Sequence, residues 1–199
     1  PINLKDKVLT SNVSFQGEEV QLSNILSRDS ALELLNTNQI RDLLTDRTFN
    51  VSKPVEIKAK FFVDRLFINE DLKVETEQRD KTEQRKHFRN VTEIVSQERV
   101  FLLSSMAGEG KSTTFRNFAL KLKQKFPLKW VQFVELKNHS KAFKNAGKLE
   151  TFDEVLDFLG VDLLKLENFE LKVFEDRFKS DEVIFLWDGI DEIAPLYKD

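Results

Sequence analysis

Along the second half of the chain, short continuous apolar runs alternate with stripes at helical spacing. Residues 100–103 (VFLL) are apolar without interruption, the pattern of a strand buried on both faces of a parallel sheet. Phe115, Phe118, Ala119 and Leu122 recur at i, i+3, i+4 and i+7, which predicts a helix with one buried face. WVQFVEL, from Trp130, predicts a second strand. Thr151 opens TFDE, a capping box, ahead of a helix whose stripe is Phe152, Val155, Leu156 and Leu159 and which Gly160 is expected to stop. Leu171, Phe174 and Phe178 mark a further helix, and residues 183–187 a third strand. Strand, helix, strand, helices, strand predicts an α/β fold with a parallel sheet covered on both faces.

The first half is less regular. VSFQGEEVQL carries a turn signal at Gly17 between two alternating runs, which predicts a hairpin. SALELL and TNQIRDLL predict two short helices capped by Ser30 and Thr37. A loop around TFNVSKPVE leads to KAKFFVDRLFI, a short mixed run. Residues 75–90 are dense in both signs of charge. They read as a solvated helix face with i,i+4 pairs, because acidic residues interrupt the basic ones throughout. Phe88, Val91, Ile94 and Val95 then form a helical stripe. Three parts follow from these patterns: an N-terminal segment (1–60), a helical lead-in (61–98) and an α/β core (99–199).

Composition narrows the class without naming a chemistry. The 199 residues suit one α/β domain with a small extra part. Charged residues at 33% and hydrophobic ones at 40% are ordinary globular usage. A net charge of −3 gives no strong field for nucleic acid. With no cysteine, disulfides and thiolate metal sites are excluded, which fits a reducing compartment such as the cytoplasm. His87 and His139 lie far apart in sequence and read as surface residues. No apolar stretch approaches the roughly 18 residues of a membrane span, and no signal-peptide pattern opens the chain. The start at Pro1 and the end soon after an apolar run lead us to expect a fragment of a longer protein.

The candidate chemistry begins at SMAGEGKST, residues 105–113. A phosphate-binding loop needs glycines so that backbone N–H groups can point inward at an anion. It needs a lysine for the β- and γ-phosphates and a hydroxyl for Mg2+. It must join a strand to a helix N-terminus, where unpaired N–H groups and the helix dipole favour negative charge. Ser105, Met106, Ala107, Gly108, Glu109, Gly110, Lys111, Ser112 and Thr113 make up that loop. Lys111 is the phosphate cation, Ser112 the Mg2+ hydroxyl, and Thr113 can reach the α-phosphate. Ser105 stands where the strict pattern has glycine. The alternative is an ordinary glycine turn at a helix start.

A second signal is VIFLWDGIDEI, residues 183–193. Apolar residues run into Asp188, which places its carboxylate at the C-terminal end of a buried strand, the edge where open α/β sheets bind ligands. A carboxylate there can hold Mg2+, usually through water. Asp191 or Glu192 could orient or deprotonate an attacking water. The alternative is a strand ending in an acidic turn.

Together these two stretches resemble a known family. SMAGEGKST is similar to the NACHT form of the Walker A motif, roughly GxAGxGKS/T, and FLWDGIDEI looks like the NACHT Walker B motif, an apolar run followed by DGxDE. NACHT domains are STAND-class P-loop NTPases, relatives of AAA+ proteins, found in signalling proteins that include those of innate immunity. The resemblance covers about residues 95–193. It implies a three-layer P-loop core, ATP or ADP with Mg2+ as ligand, and Lys111, Ser112 and Thr113 as nucleotide residues. It makes Asp188 the Mg2+ residue and Asp191 or Glu192 the catalytic acid. FFVDRLF (61–67) is similar to the segment that lies over the adenine, or is a core strand or helix. In AAA+-like sheets a strand that follows Walker B in sequence sits between the Walker A and Walker B strands. Only six residues follow Ile193. The expectation is therefore a sheet truncated after the Walker B strand, with a slot between residues 100–103 and 183–187, and a poorly stable isolated polypeptide.

Three functions fit the motifs. The first is a nucleotide switch in which ADP holds a closed state and ATP opens it and exposes an oligomerisation surface. The second is a working ATPase or GTPase. The third is a small-molecule kinase, which would need an acceptor pocket and an arginine-rich lid.

Overall fold

The computed structural model describes residues 4–34, 50–53, 67–68, 87–88, 91–97, 99–106 and 108–193. Near the N-terminus, Gln16 and Gly17 take positive φ angles of 49° and 92°, the geometry a two-residue hairpin needs to match strand twist. They join β1 (Asn12–Phe15) to β2 (Glu18–Gln21), with Asn12 opposite Gln21. Helix α1 (Leu4–Leu9) precedes the hairpin and α2 (Arg28–Leu34) follows it. β3 (Asn50–Val51) adds parallel to β1 and completes a three-stranded sheet in the order β2-β1-β3. The cap of α2 is Ser27 rather than Ser30, because the Ser27 hydroxyl accepts the Ser30 N–H at 3.2 Å. Ser30 is buried inside the helix, and its hydroxyl donates a hydrogen bond to Asp176 Oδ1 at 2.7 Å. The helix expected from Thr37 lies outside the described residues.

Between the two halves, β4 (Phe67–Ile68) pairs antiparallel with β5 (His87–Phe88). Helix α3 (Val91–Gln97) carries Val91, Ile94 and Val95 as expected, but Phe88 belongs to β5, where it is opposite Phe67. The charged run at 75–86 and the FFVDRL of 61–66 lie outside the described residues.

The second half follows its hydrophobic pattern closely. Helix α4 (Lys111–Lys125) leads to β6 (Trp130–Glu135), then to α5 (Ser140–Ala146), α6 (Phe152–Asp157), α7 (Asn168–Lys179), β7 (Val183–Asp188) and α8 (Ile190–Ile193). β6 and β7 pair in parallel, Trp130 opposite Val183 and Glu135 opposite Asp188. Alternation sends Val131 and Leu186 to one face, against Phe118, Ala119 and Leu122 of α4. Trp130 and Val134 go to the other face, against Val173 and Phe174 of α7 and the buried residues of the N-terminal hairpin. Trp130 is fully buried and meets Phe15 and Phe174 edge-on, at centroid distances of 5.8 and 5.3 Å. Such edge contacts add about 0.5–1.5 kcal/mol each to the burial itself.

Two expectations are corrected. Residues 100–103 do not form a strand. They have no ladder partner, and Val100 and Leu102 are 88% and 78% exposed. Continuous apolar character makes a strand only where a second backbone is within hydrogen-bonding reach, and here the edge of β7 faces this segment across a cavity. Nor does Gly160 stop a helix. Helical rotation continues beyond α6 as a π turn over Phe158–Leu163, with Gly160 buried inside it. A Cβ at Gly160 would lie 2.5 Å from Leu171 Cδ1, so glycine serves close packing against α7. The capping box itself forms as expected: Thr151 Oγ1 accepts the Glu154 N–H at 3.2 Å and Glu154 Oε2 accepts the Thr151 N–H at 2.9 Å.

The described chain is thus a mixed α/β structure with a small mixed N-terminal sheet and a two-stranded parallel sheet. Among the described residues no helix is long and apolar enough to cross a membrane.

Candidate functional site

Two residues of the glycine loop, Ser105 and Lys111, and the acidic strand end, Asp188 to Asp191, line one cavity of about 750 Å³, whereas Gly108, Gly110, Ser112 and Thr113 do not line it. One wall is residues 99–105 with Lys111 and Phe115, and the other is residues 183–191. The two walls are bridged at both ends. Arg99 Nη2 lies 2.9 Å from Asp181 Oδ2, and Lys111 Nζ lies 3.7 Å from Asp191 Oδ2. The slot expected between residues 100–103 and 183–187 is therefore present as a cleft, although its first wall is extended chain without a ladder. Its lining is apolar along the middle, with Phe101, Leu103, Phe185 and Trp187, and carries charged residues at both ends, Arg99 and Asp181 at one and Lys111, Asp188 and Asp191 at the other.

The loop geometry follows from its glycines. Gly108 and Gly110 have φ of +82° and +80°, a left-handed conformation that costs L-residues about 1–2 kcal/mol. Nothing lies within 4 Å of a Cβ built on Gly108, so the requirement there is conformational and not one of space. Gly110 caps α4 through its backbone, and its carbonyl accepts the first helical bond from Thr114 at 2.9 Å. Lys111, Ser112 and Thr113 form the first turn of α4 and are half-buried. The Lys111 ammonium donates to the Ser105 carbonyl at 2.9 Å. Met106 is exposed, and its N–H donates to Glu109 Oε2 at 3.0 Å. Ala107 lies outside the described residues.

At the opposite wall, Asp188 ends β7 and lines the cavity together with Ser105, Lys111 and Asp191. These four of the sequence-predicted residues converge. Glu192 is not among the lining residues, although its carboxylate lies beside Gly189, which is; a Cβ on Gly189 would be 3.6 Å from Glu192 Cδ. Among the described residues, no group of three or more His, Asp or Glu side chains gathers as a metal site. A cation here would draw on Asp188, the Ser112 hydroxyl and oxygens from its own ligand. Asp188 and Asp191 line the cavity beside the Lys111 ammonium, with Ser112 next to Lys111 in the first turn of α4; carboxylate and hydroxyl oxygens of this kind suit a hard cation bound to phosphate oxygens.

Sequence reading missed a neighbour of Asp188. The parallel register puts Glu135 beside it. Arg116 of α4 forms an ion pair with Glu135 and lies 5.4 Å over the Phe133 ring. Asn138 Nδ2 donates to the other Glu135 oxygen at 3.1 Å. Glu135 is thus occupied, whereas Asp188 meets no cation among the described residues within ion-pair distance. Matching the first residues of the two predicted strands, Trp130 and Val183, in parallel would have placed Glu135 beside Asp188; nothing in the sequence marks Arg116 as its partner.

No protein-family model, curated protein or solved structure matches this chain. The reading of the site rests on its residues and their geometry.

Proposed function

We propose that this chain binds Mg–ATP and Mg–ADP as the nucleotide switch of a NACHT-type P-loop domain. The observation that carries the reading is that Lys111 and Asp191 face each other at 3.7 Å across a cavity that Asp188 also lines. A glycine loop before a helix and an acidic turn after a parallel strand are each common. Their meeting at one cavity is what a Mg–nucleotide site requires.

In this reading the loop N–H groups and Lys111 hold the phosphates. Ser112 and Asp188 hold Mg2+, directly or through water, and the ion neutralises charge on the phosphate oxygens. Asp191 or Glu192 positions water. The cavity lining favours Asp191 for that role, since Asp191 lines it and faces Lys111, whereas Glu192 does not line it. The fold would be a P-loop core in which β7 is the Walker B strand and residues 100–103 lead into Walker A. ADP would hold a closed state and ATP an open one that self-associates in a cytoplasmic signalling pathway. Such a switch acts by binding its two ligands differently, not by turnover.

The test is Mg2+ dependence. Asp188→Asn is expected to weaken ATP binding measured with Mg2+ and to leave Mg2+-free binding within about twofold. Equal loss with and without Mg2+ would assign Asp188 a structural role instead. Fast steady-state hydrolysis by the unaltered protein would favour a working ATPase or GTPase over the switch.

A further inference from the structure

We propose that Arg116 and Glu135 are a positioning pair for Asp188: the guanidinium cancels a second carboxylate at the sheet edge, so that Asp188 meets a Mg–nucleotide ligand without a like charge behind it. This rests on the nucleotide reading above. The parallel register sets Glu135 directly beside Asp188, about 5 Å away in the spacing of neighbouring strands. The two residues continue one face of the sheet. Phe133 and Leu186, two positions earlier on each strand, lie on the face that packs against α4, and side chains at i and i+2 share a face. Arg116 reaches that face from α4, one turn beyond Ser112. It forms an ion pair with Glu135 Oε1 and lies over the Phe133 ring, while Asn138 Nδ2 donates to Glu135 Oε2 at 3.1 Å. Both Glu135 oxygens are therefore held. Neither Arg116 nor Glu135 lines the cavity, so their effect on a ligand passes through Asp188, which does.

Charge decides what the pair does. Two bare carboxylates at neighbouring register positions repel each other. Together they also repel the phosphates of a metal-free nucleotide and attract a divalent cation more strongly than one does. With Arg116 in place, Glu135 adds no net charge, and the response of the site to Mg2+ is set by Asp188. The guanidinium also fixes the direction of the Glu135 carboxylate, because a planar fork seated on Phe133 leaves its partner little freedom to swing toward a bound cation. The two side chains are only 34% and 25% exposed, so water and salt screen the pair in part.

The test measures ATP affinity, with Mg2+ and with EDTA, for the unaltered protein, Arg116→Ala, Arg116→Lys, Glu135→Gln and the double variant Arg116→Ala/Glu135→Gln. Arg116→Ala uncovers a negative charge. It is expected to weaken Mg2+-free binding about three- to tenfold, the size of one added unit charge at about 5 Å in a largely solvated site, and to widen the gain that Mg2+ gives. Glu135→Gln uncovers a positive charge and should do the reverse, with tighter Mg2+-free binding and a smaller gain from Mg2+. The double variant is neutral again and should return both values to within about twofold of the unaltered protein. Arg116→Lys, which keeps the charge, should stay close to the unaltered protein. A purely structural pair would act otherwise: both single variants would lose affinity in the same direction, with and without Mg2+, and the double variant would not recover. That pattern overturns the proposal, as does no change in any variant. If Arg116→Ala fails to fold, the opposite response of Glu135→Gln decides the matter alone. If the unaltered protein binds no ATP, the nucleotide reading and the role of the pair fall together. If Lys111→Ala abolishes binding while the variants show the structural pattern, only the role of Arg116 and Glu135 fails.

Discussion

Lys123 has an environment that its sequence does not announce. In LKLKQKF it is one of three lysines along a helix. In the structure it is only 4% exposed. Its ammonium donates to the Pro127 and Lys129 carbonyls at 2.8 and 3.2 Å and lies 3.9 Å over the Phe15 ring. Burial lowers its pKa from 10.5 to about 8, against a smaller upward pull from Glu18. Below pH 8 the ammonium is charged in folded and unfolded chains alike, and the folded state bears the cost of burying it. Between about pH 8 and 10.5 the unfolded chain holds more proton, so the stability contributed at this site rises with pH. Urea unfolding of the unaltered protein and of Lys123→Met at pH 7.5 and 9.5 checks this. The unaltered protein should gain on the order of 2 kcal/mol relative to the variant over that interval. A difference that stays flat would mean that the ammonium remains solvated.

At the level of elements, the N-terminal hairpin is tied to the parallel sheet by a side chain acting as backbone. Gln16 Nε2 donates to the Val131 carbonyl at 2.9 Å, and the Val131 N–H donates to Gln16 Oε1 at 3.0 Å. The amide thus pairs both backbone groups of Val131 on the edge of β6 away from β7. Asp176 of α7 adds a second tie by accepting the Ser27 N–H at 2.7 Å as well as the Ser30 hydroxyl. Gln16→Ala should cost about 1–3 kcal/mol, because it leaves two buried backbone groups of Val131 without partners. Hydrogen exchange at the Val131 amide should accelerate in step. An unchanged unfolding free energy would show that water replaces the side chain freely. The turn that positions Gln16 was legible, since Gly17 between two alternating runs signals a hairpin. The tie was not, because it joins residues 115 positions apart. The same limit explains residues 100–103. Their apolar run announces burial, but only a second backbone at the right distance makes a strand. By contrast, TFDE and the stripe of Phe118, Ala119 and Leu122 were read correctly, because caps and helix faces are decided within a few residues.

Over the whole molecule, the two halves share a core: Val13, Phe15 and Ile25 belong to the same buried cluster as Trp130, Val134 and Phe174. The N-terminal segment, opaque as sequence, therefore buries one face of the parallel sheet, while α4 covers the other. That leaves the edge of β7 facing the cavity, with Asp188 at its charged end. Both halves of the candidate site were legible as motifs, since glycine spacing and an apolar run ending in acid are local signals. Their convergence was expected only through the family resemblance, since its geometry depends on the register of β6 and β7 and on the packing of α4 against them. The central claim is that this convergence grips nucleotide phosphates, and calorimetric titration of Mg–ATP and Mg–ADP into the protein and into Lys111→Ala tests it most directly. We predict binding by the unaltered protein and a loss of about 10- to 100-fold in the variant, the worth of hydrogen bonds from a charged donor, with the unfolding midpoint unchanged. Equal affinities in the two proteins, or no binding by either, would contradict it.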